Sequence, residues 1–237
     1  MPRSGTAPPP QTLVSHRTAG DYNLLGASFA EANNLSCAIS AFEAGLALDP
    51  AAWEIRYNLA LALIRARDFK RAAVELKRVI AEKPDSAKVH NALGLALQNL
   101  GQADAASEEF KTAIGVDPFF GSAFYNLGQL LSSQKRYSGA IYYFRQALTQ
   151  SPSPSLREQI QVGLAAAYAA TQDYAGSIRL LQPLAASKPD SAALHFDLAN
   201  AYAHDEQFSQ AATEYRKVLD IDPANGPARL SLAKALM

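Results

Sequence analysis

A 34-residue period, marked by prolines, limits the possible folds of this chain more than any other pattern in it. The prolines recur at this interval on either side of a single 37-residue step, at Pro50, Pro84, Pro118, Pro152, Pro189 and Pro223. Self-similarity at a period of a few tens of residues indicates a repeat architecture, in which each unit packs only on its neighbours. The chain is therefore better described as an array of units than as one globular core.

Each period holds two segments with helical hydrophobic spacing, and each segment has its own columns. In the first segment, a leucine is followed by glycine or alanine and, four residues on, by a large apolar residue. Residues at i and i+4 share one helix face, and the small residue lets a neighbouring helix approach closely. In the second segment, a small residue precedes a bulky one by four positions. The leucine column is Leu25, Leu59, Leu93, Leu127, Leu164, Leu198 and Leu232, and the bulky column is Phe42, Leu76, Phe110, Phe144, Leu181 and Tyr215.

These columns resemble the tetratricopeptide repeat, a family with small, aromatic and terminal-proline positions at this spacing. The resemblance implies an all-α fold, a right-handed α-solenoid of six helix-turn-helix repeats plus a C-terminal capping helix. The predicted organisation is a disordered, proline-rich tail at residues 1–18 and an array at residues 19–237. The repeats are predicted at about 19–52, 53–86, 87–120, 121–155, 156–191 and 192–225, with a last helix at 226–237.

One column departs from the family pattern. The tryptophan-type slot early in the first helix holds Tyr22, Arg56, His90, Phe124, Gln161 and His195. These departures are expected to weaken individual repeats, with the two histidines acting as packing residues. Carboxylates such as Glu108 and Glu109 are interpreted as solvated positions on a helix face.

Two local signals concern helix starts and a weak repeat. Thr18 and Asp21 resemble a capping box, and Ser155 and Glu158 suggest a second one after three inserted residues. Repeat 5 also carries a proline, Pro183, inside its second helix, which costs roughly 3 kcal/mol. We expect repeat 5 to be the least stable unit and to kink the superhelix.

Composition narrows the class of partner. The chain has 22 basic and 22 acidic residues, and no segment is strongly basic, so nucleic-acid binding is disfavoured. No apolar run is long enough for a membrane span, so no membrane insertion is expected. One cysteine, Cys37, excludes an intrachain disulfide. A cytoplasmic location is favoured, with a periplasmic or secreted one as the alternative if a signal was removed.

The sequence contains no motif typical of catalysis. A phosphate-binding glycine loop, HExxH, CxxC and a nucleophile elbow are all absent from it. We therefore expect no enzyme activity, no cofactor and no metal site.

The candidate binding residues lie on the first-helix face, which is the face opposite the leucine column. The resemblance implies that this face lines a concave groove, and here it is rich in amides and punctuated by aromatics. Carboxamides both donate to and accept from a peptide backbone, and aromatics provide apolar anchoring. In some family members an asparagine at the position of Asn58 and Asn126 holds the peptide backbone. The predicted site is Asn23, Tyr57, Asn58, Leu61, Lys88, Asn91, Leu95, Tyr125, Asn126, Gln129, Phe196 and Asn200.

The predicted function is a noncatalytic scaffold or adaptor that binds a peptide or helical segment of a protein partner. The clamp that recognises acidic chaperone C-termini is not matched, because Asn23, Ala27 and Ala92 stand where Lys, Asn and Arg would be needed. One alternative is a self-associating assembly protein, a homo-oligomer formed through the apolar end near Leu232 or the aromatics of repeat 4. Another is that the array is part of a larger enzyme or secretion component. Phe119 and Phe120 are expected either to cover the junction of repeats 3 and 4 or to form an exposed contact patch.

Overall fold

The computed structural model describes residues 17–237, and the regular structure of this part is entirely α-helical. The predicted tail lies outside these residues, apart from Arg17 and Thr18. The all-α fold class is confirmed. The described helices fall into two compact units, divided between Glu82 and Lys83.

Unit 1 consists of two helical hairpins. Its helices are α1 (Ala19–Glu31), α2 (Leu35–Leu48), α3 (Trp53–Arg65) and α4 (Phe69–Glu82). Helices α1 and α2 pack together, as do α3 and α4, and α2 joins the two hairpins by packing on α3. The large buried residues at the centre of this unit are Phe42, Leu63 and Leu76.

Unit 2 continues the same arrangement over nine helices. These are α5 (Ala87–Asn99), α6 (Ala103–Val116), α7 (Gly121–Ser133), α8 (Tyr137–Thr149), α9 (Pro154–Ala170), α10 (Tyr174–Ser187), α11 (Ala192–His204), α12 (Phe208–Ile221) and α13 (Gly226–Ala235). Each hairpin packs on the next, and α13 packs on α12. We number the hairpins as repeats: α5–α6 is repeat 3, α7–α8 repeat 4, α9–α10 repeat 5 and α11–α12 repeat 6.

The turn inside every hairpin contains one residue with a left-handed backbone. The residue that follows it donates its N–H to a carbonyl five residues earlier, as Asn34 does to Phe29 at 2.8 Å. This Schellman arrangement satisfies a helix-end carbonyl and favours glycine at the left-handed position. The six residues are Asn33, Arg67, Gly101, Lys135, Gln172 and Glu206, with φ between 58° and 76°. Only repeat 3 has glycine at this position, so the left-handed residue could be predicted from its type in only one of the six turns.

The small column and the bulky column of each repeat meet inside the hairpin. A Cβ built on Gly94 would lie 2.5 Å from the ring of Phe110, and one on Gly128 would lie 2.8 Å from Phe144. Such distances are far below van der Waals contact, so each phenylalanine ring occupies the space that a side chain at the opposite glycine would need. Where the bulky residue is the smaller Leu181, the small position is Ala165.

Each basic residue in the tryptophan-type slot bonds to a glutamate on the second helix of its repeat and to a proline carbonyl that precedes its own helix. His90 Nδ1 lies 2.7 Å from Glu109 Oε2 and its Nε2 lies 2.8 Å from the carbonyl of Pro84. His195 repeats both contacts, with Glu214 at 2.6 Å and Pro189 at 3.1 Å.

Arginine does the same in unit 1. Arg56 donates to Glu75 at 2.8 Å and also to the carbonyl of Pro50. The three basic residues in this slot are therefore each paired with a glutamate in the second helix of the same repeat. The interpretation of Glu109 as a solvated carboxylate was wrong, since it bonds a buried histidine.

Of the two capping boxes predicted from the sequence, one is present in the structure and the other is not. At α1 both hydrogen bonds of the Thr18–Asp21 capping box are present, and the backbone N–H and hydroxyl of Thr18 lower the pKa of Asp21. At α9 the prediction was wrong, because the cap is Ser153, whose hydroxyl accepts from the N–H of Leu156 at 3.3 Å. Pro154 is the first helical residue, a position that its fixed φ and missing N–H suit.

Repeat 5 accommodates its extra residues as helix. Helix α9 has 17 residues, whereas α7 and α11 have 13 each, so the three-residue insertion adds about one turn at its start. Pro183 lies on the exposed side of α10, which runs unbroken from Tyr174 to Ser187. The lower stability of repeat 5 and the kink stay predictions.

Candidate protein-binding surface

In unit 1 the first-helix face is organised by a pair of amides. Asn58 on α3 donates from Nδ2 to Asn23 Oδ1 on α1 at 2.9 Å. Tyr57 and Leu61 flank the pair and are half-buried, and burial raises the pKa of the Tyr57 phenol. Arg65 closes this part of the face by donating to the carbonyl of Ala30 at 2.7 Å.

In unit 2 the same amide pair joins repeats 3 and 4. Asn126 on α7 donates from Nδ2 to Asn91 Oδ1 on α5 at 2.8 Å. Asn91 is only 8% exposed, so the structure assigns it to holding Asn126 in place. Asn126 is half-buried and keeps its Oδ1 and one N–H for an outside group. On α5, Leu95 is half-buried and Lys88 is exposed.

The aromatic residues of this face rest on the bulky column beneath them. The Tyr125 ring lies 6.0 Å from that of Phe144, and the Phe196 ring lies 5.9 Å from that of Tyr215. Tyr125 OH also accepts from Gln129 Nε2, which is exposed. These contacts pack each half-buried aromatic of the first helix against an aromatic of the second helix.

In repeat 6 the amide on this face is used internally. Asn200 Oδ1 accepts from Tyr215 OH at 2.7 Å. Burial raises the pKa of Tyr215, against a smaller lowering by Ser231. Asn200 keeps its N–H groups and one oxygen lone pair for a ligand.

The structure adds a cavity that the sequence reasoning missed. It lies between α9, α10 and α11 and has a volume of about 460 Å³. Direct packing joins α5 to α7 and α7 to α9, but α9 and α11 make at most a marginal contact, which leaves this space. Of the predicted residues only Asn200 lines it. The lining residues are Val162, Ala166, Ala169, Tyr174, Ser177, Leu181, Asp197, Asn200, Ala201 and His204.

Two sequence departures could have signalled the cavity. Ser177 stands in a column that is otherwise alanine, and Asp197 stands where Asn58 and Asn126 stand in other repeats. The raised pKa of the Asp197 carboxyl reflects the protein atoms around it, which replace part of its hydration, although its side chain still reaches solvent.

Phe119 and Phe120 have different environments. Phe120 packs on the buried cluster of Ala87, Ala113 and Ala123, so it covers the junction of repeats 3 and 4. Phe119 is 79% exposed. Phe120 therefore covers the junction, as the first expectation has it, whereas a contact of the exposed Phe119 with a partner stays a prediction.

Over residues 17–237, no three metal-ligating side chains come together, and no helix is both long and apolar enough to cross a membrane.

Helical hairpins stacked in sequence order, with small and bulky columns in register, define the class of helical repeat proteins.

Family comparisons assign the array. Models described as tetratricopeptide repeat match residues 91–153, residues 29–96 together with 131–199, and residues 192–225. One of these models alone covers more than half of the chain. The chain belongs to the tetratricopeptide repeat family. Proteins of this family are generally noncatalytic scaffolds for protein interactions.

A curated relative and two solved structures illustrate the likeness. The small glutamine-rich tetratricopeptide repeat-containing protein 2 of Mycosarcoma maydis is 32% identical over 101 residues, which are 43% of this chain and 28% of the relative. A chain of the APC/C hetero-tetramer Cut9–Hcn1 aligns with a TM-score of 0.77 and 19% identity, over 93% of this chain and 43% of that one. PilF of Pseudomonas aeruginosa aligns with a TM-score of 0.75 and 18% identity, over 91% and 95%. At such identity the two structures show the fold alone, and this chain spans less than half the length of the first two proteins.

Proposed function

We propose that this chain is a noncatalytic scaffold that binds an extended or helical segment of a protein partner on its first-helix face. The observation that carries the proposal is the pair of asparagines in repeats 3 and 4. Asn126 is held by a buried neighbour and presents an unpaired oxygen and one N–H outward. A peptide backbone needs both a donor and an acceptor, and a preorganised amide supplies them with little further ordering cost.

The surroundings of the amide favour a protein ligand. Tyr125 and Leu95 border it, and both are half-buried. Rigid aromatic side chains with one side exposed are typical anchors of protein interfaces. Lys88, exposed near the start of α5, would contribute a positive charge at the edge.

Peptide selection followed by surface variants tests the proposal. A displayed library of peptides of about 15 residues is selected on the full chain, and affinities of recovered peptides are measured by calorimetry. Asn126→Ala with Tyr125→Ala should weaken them by about 2 kcal/mol, or roughly thirtyfold. Tyr142→Ala is the matched control, because Tyr142 lies on the second helix of the same repeat and is 56% exposed.

Two results would refute the assignment. The first is equal loss in the Tyr142 control and in the Tyr125/Asn126 variant. The second is a recovered peptide whose nuclear Overhauser contacts fall on the second helices and not on α5 and α7.

Self-association is the second candidate function, and exposed apolar residues on the last helix and at its C-terminal end favour it. Leu230 is 60% exposed and Leu236 is 59% exposed, and such residues bury readily against a second copy. Light scattering between low and high micromolar concentration decides this point. Growth in mass that disappears in Leu230→Ser/Leu236→Ser would support assembly, and a constant monomer would remove it.

A further inference from the structure

The cavity between α9, α10 and α11 contains polar groups that have no partner within residues 17–237. Ser177 is 1% exposed, and its Oγ makes no hydrogen bond. Asp197, which lines the same cavity, makes no ion pair or hydrogen bond with a described residue. Leaving a buried hydroxyl unsatisfied lowers stability, so a hydroxyl without a protein partner at the wall of a cavity is available to a group that enters the cavity.

Earlier repeats show what is absent at this junction. Asn58 and Asn126 each bond to an asparagine 35 residues before them, on the preceding first helix. Asp197 has Val162 at that distance, which can neither donate nor accept. The junction of repeats 5 and 6 therefore has an acid without a partner in the column where Asn58 and Asn126 each form a closed amide pair.

The lining is suited to a planar cation. Asp197 is the single acidic residue among the described residues that line the cavity, and Ser177 and Asn200 add neutral acceptors. The rings of Tyr174 and His204 stack at 5.2 Å with an angle of 13° between their planes, and this pair borders the same space. A guanidinium group carries five N–H donors in one plane and stacks on aromatic faces, whereas an ammonium group is a compact, strongly hydrated charge.

We propose that this cavity receives the arginine side chain of a protein segment bound on the first-helix face, with Asp197 as its counter-ion. Ser177 and Asn200 accept from the remaining guanidinium N–H groups. The volume of about 460 Å³ leaves room for the side chain together with water. The peptide origin of the arginine rests on the proposed function, but recognition of a guanidinium group does not and is measured separately.

The first experiment uses methylguanidinium as the probe, with methylurea as its neutral counterpart. Both are titrated into the full chain while amide resonances are followed by NMR. Methylguanidinium should shift the amides of Val162, Ser177 and Asp197, and methylurea should not. Asp197→Asn should weaken the binding about fivefold, the size of a partly exposed ion pair.

The control for overall charge is Asp190→Asn, since Asp190 is exposed and does not line the cavity. It should leave the methylguanidinium titration unchanged. Equal shifts with methylurea, or the same weakening in the Asp190 and Asp197 variants, would overturn recognition of a cation by this cavity.

The second experiment uses peptide libraries with one fixed arginine, or with citrulline at the same position. The chain should retain the arginine library about fivefold better, and Asp197→Asn should abolish that preference. Peptide binding without an arginine preference would refute this inference and leave the proposed function standing. Methylguanidinium binding with no retention of either library would refute the proposed function, and with it the peptide origin of the arginine.

Discussion

Repeats 3–4 and repeats 5–6 of unit 2 share one fold but differ at the junction of their first helices. In repeats 3–4 an amide pair, Asn91 and Asn126, links α5 to α7. In repeats 5–6 the matching positions are Val162 and Asp197, and a cavity separates α9 from α11. The repeat fold therefore does not depend on this link, because the leucine and bulky columns already stack the hairpins. A first-helix position can consequently lose its structural partner and become available to a ligand.

The largest expected effect comes from the bulky column. Phe110 is fully buried and packs over Gly94, so Phe110→Ala should lower the free energy of unfolding of repeats 3–4 by about 4 kcal/mol. Leu181 already borders the cavity, so Leu181→Ala should cost repeats 5–6 only about 2 kcal/mol. Hydrogen exchange of the amides in each pair of repeats measures both, and equal losses would contradict the idea that repeats 5–6 are more loosely packed.

Breaking the amide pair should have the next largest effect. Asn91→Val introduces the residue type found at Val162 and leaves Asn126 without its internal acceptor, at a cost of about 2 kcal/mol. Asn99→Val is the control, since Asn99 is an exposed asparagine on the same helix. Urea unfolding followed by hydrogen exchange gives the comparison. The amide link has no structural role if both variants lose the same stability.

Removing the unsatisfied hydroxyl should stabilise repeats 5–6. Ser177→Ala restores the alanine column and deletes a buried group without a partner, so the free energy of unfolding should rise by about 1 kcal/mol. Thermal unfolding of this variant and of Ser209→Ala, an exposed serine on α12, measures the difference. A loss of stability in Ser177→Ala would mean that the hydroxyl already has a partner.

Exchanging the hairpin-turn residues should have a smaller effect. Gly101 and Gln172 occupy equivalent left-handed positions, with φ of 76° and 65°. Nothing lies within 4 Å of a Cβ placed on Gly101, so only backbone strain opposes a side chain there. Gly101→Gln should destabilise repeat 3 by about 0.5–1 kcal/mol, and Gln172→Gly should stabilise repeat 5 by less. Denaturant midpoints of the two variants should shift in opposite directions.

The smallest expected effect is the pH dependence of Asp197. Its pKa is higher in the folded chain than in the unfolded chain, because burial disfavours its charged form. Below the unfolded pKa the residue therefore has no effect on stability. As the pH rises from the unfolded pKa to the folded pKa, a penalty in the free energy of unfolding develops, and above the folded pKa it is complete. Asp197→Asn should gain stability relative to wild type over this window, as shown by urea midpoints at several pH values, and a gap that narrows with rising pH would contradict this.

Much of the fold could be predicted from the sequence because its determinants are periodic. A leucine, a small residue and a bulky residue that recur in phase fix helix faces and their stacking. The slot with His90 and His195 was predicted to weaken its repeats, because the glutamate that bonds each histidine lies 19 residues away in the next helix. The start of α9 was misplaced because Ser153 and Ser155 both resemble caps, and only the backbone conformation distinguishes them.

Part of the candidate site could likewise be predicted from helical spacing, and part depends on how the helices pack. The amides and aromatics of the first-helix face follow from helical spacing, and the structure shows how Asn126 is held, but their contact with a peptide stays a proposal. The burial of Asn91 could not be read from the sequence, since it depends on how closely α5 and α7 approach.

The helical repeat, its register and the family follow from the order of residues alone, because they depend on the spacing of residues along one chain segment. Which polar residues satisfy one another is known only from the packed helices. Asn58, Asn126 and Asp197 occupy one column of the repeat. The two asparagines bond to an asparagine on the preceding first helix, whereas Asp197 has a valine at that position and no partner among the described residues. That outcome depends on distances between helices, which no local pattern encodes, because the free energy of a polar group between two helices depends on its partner and not on its position in the period.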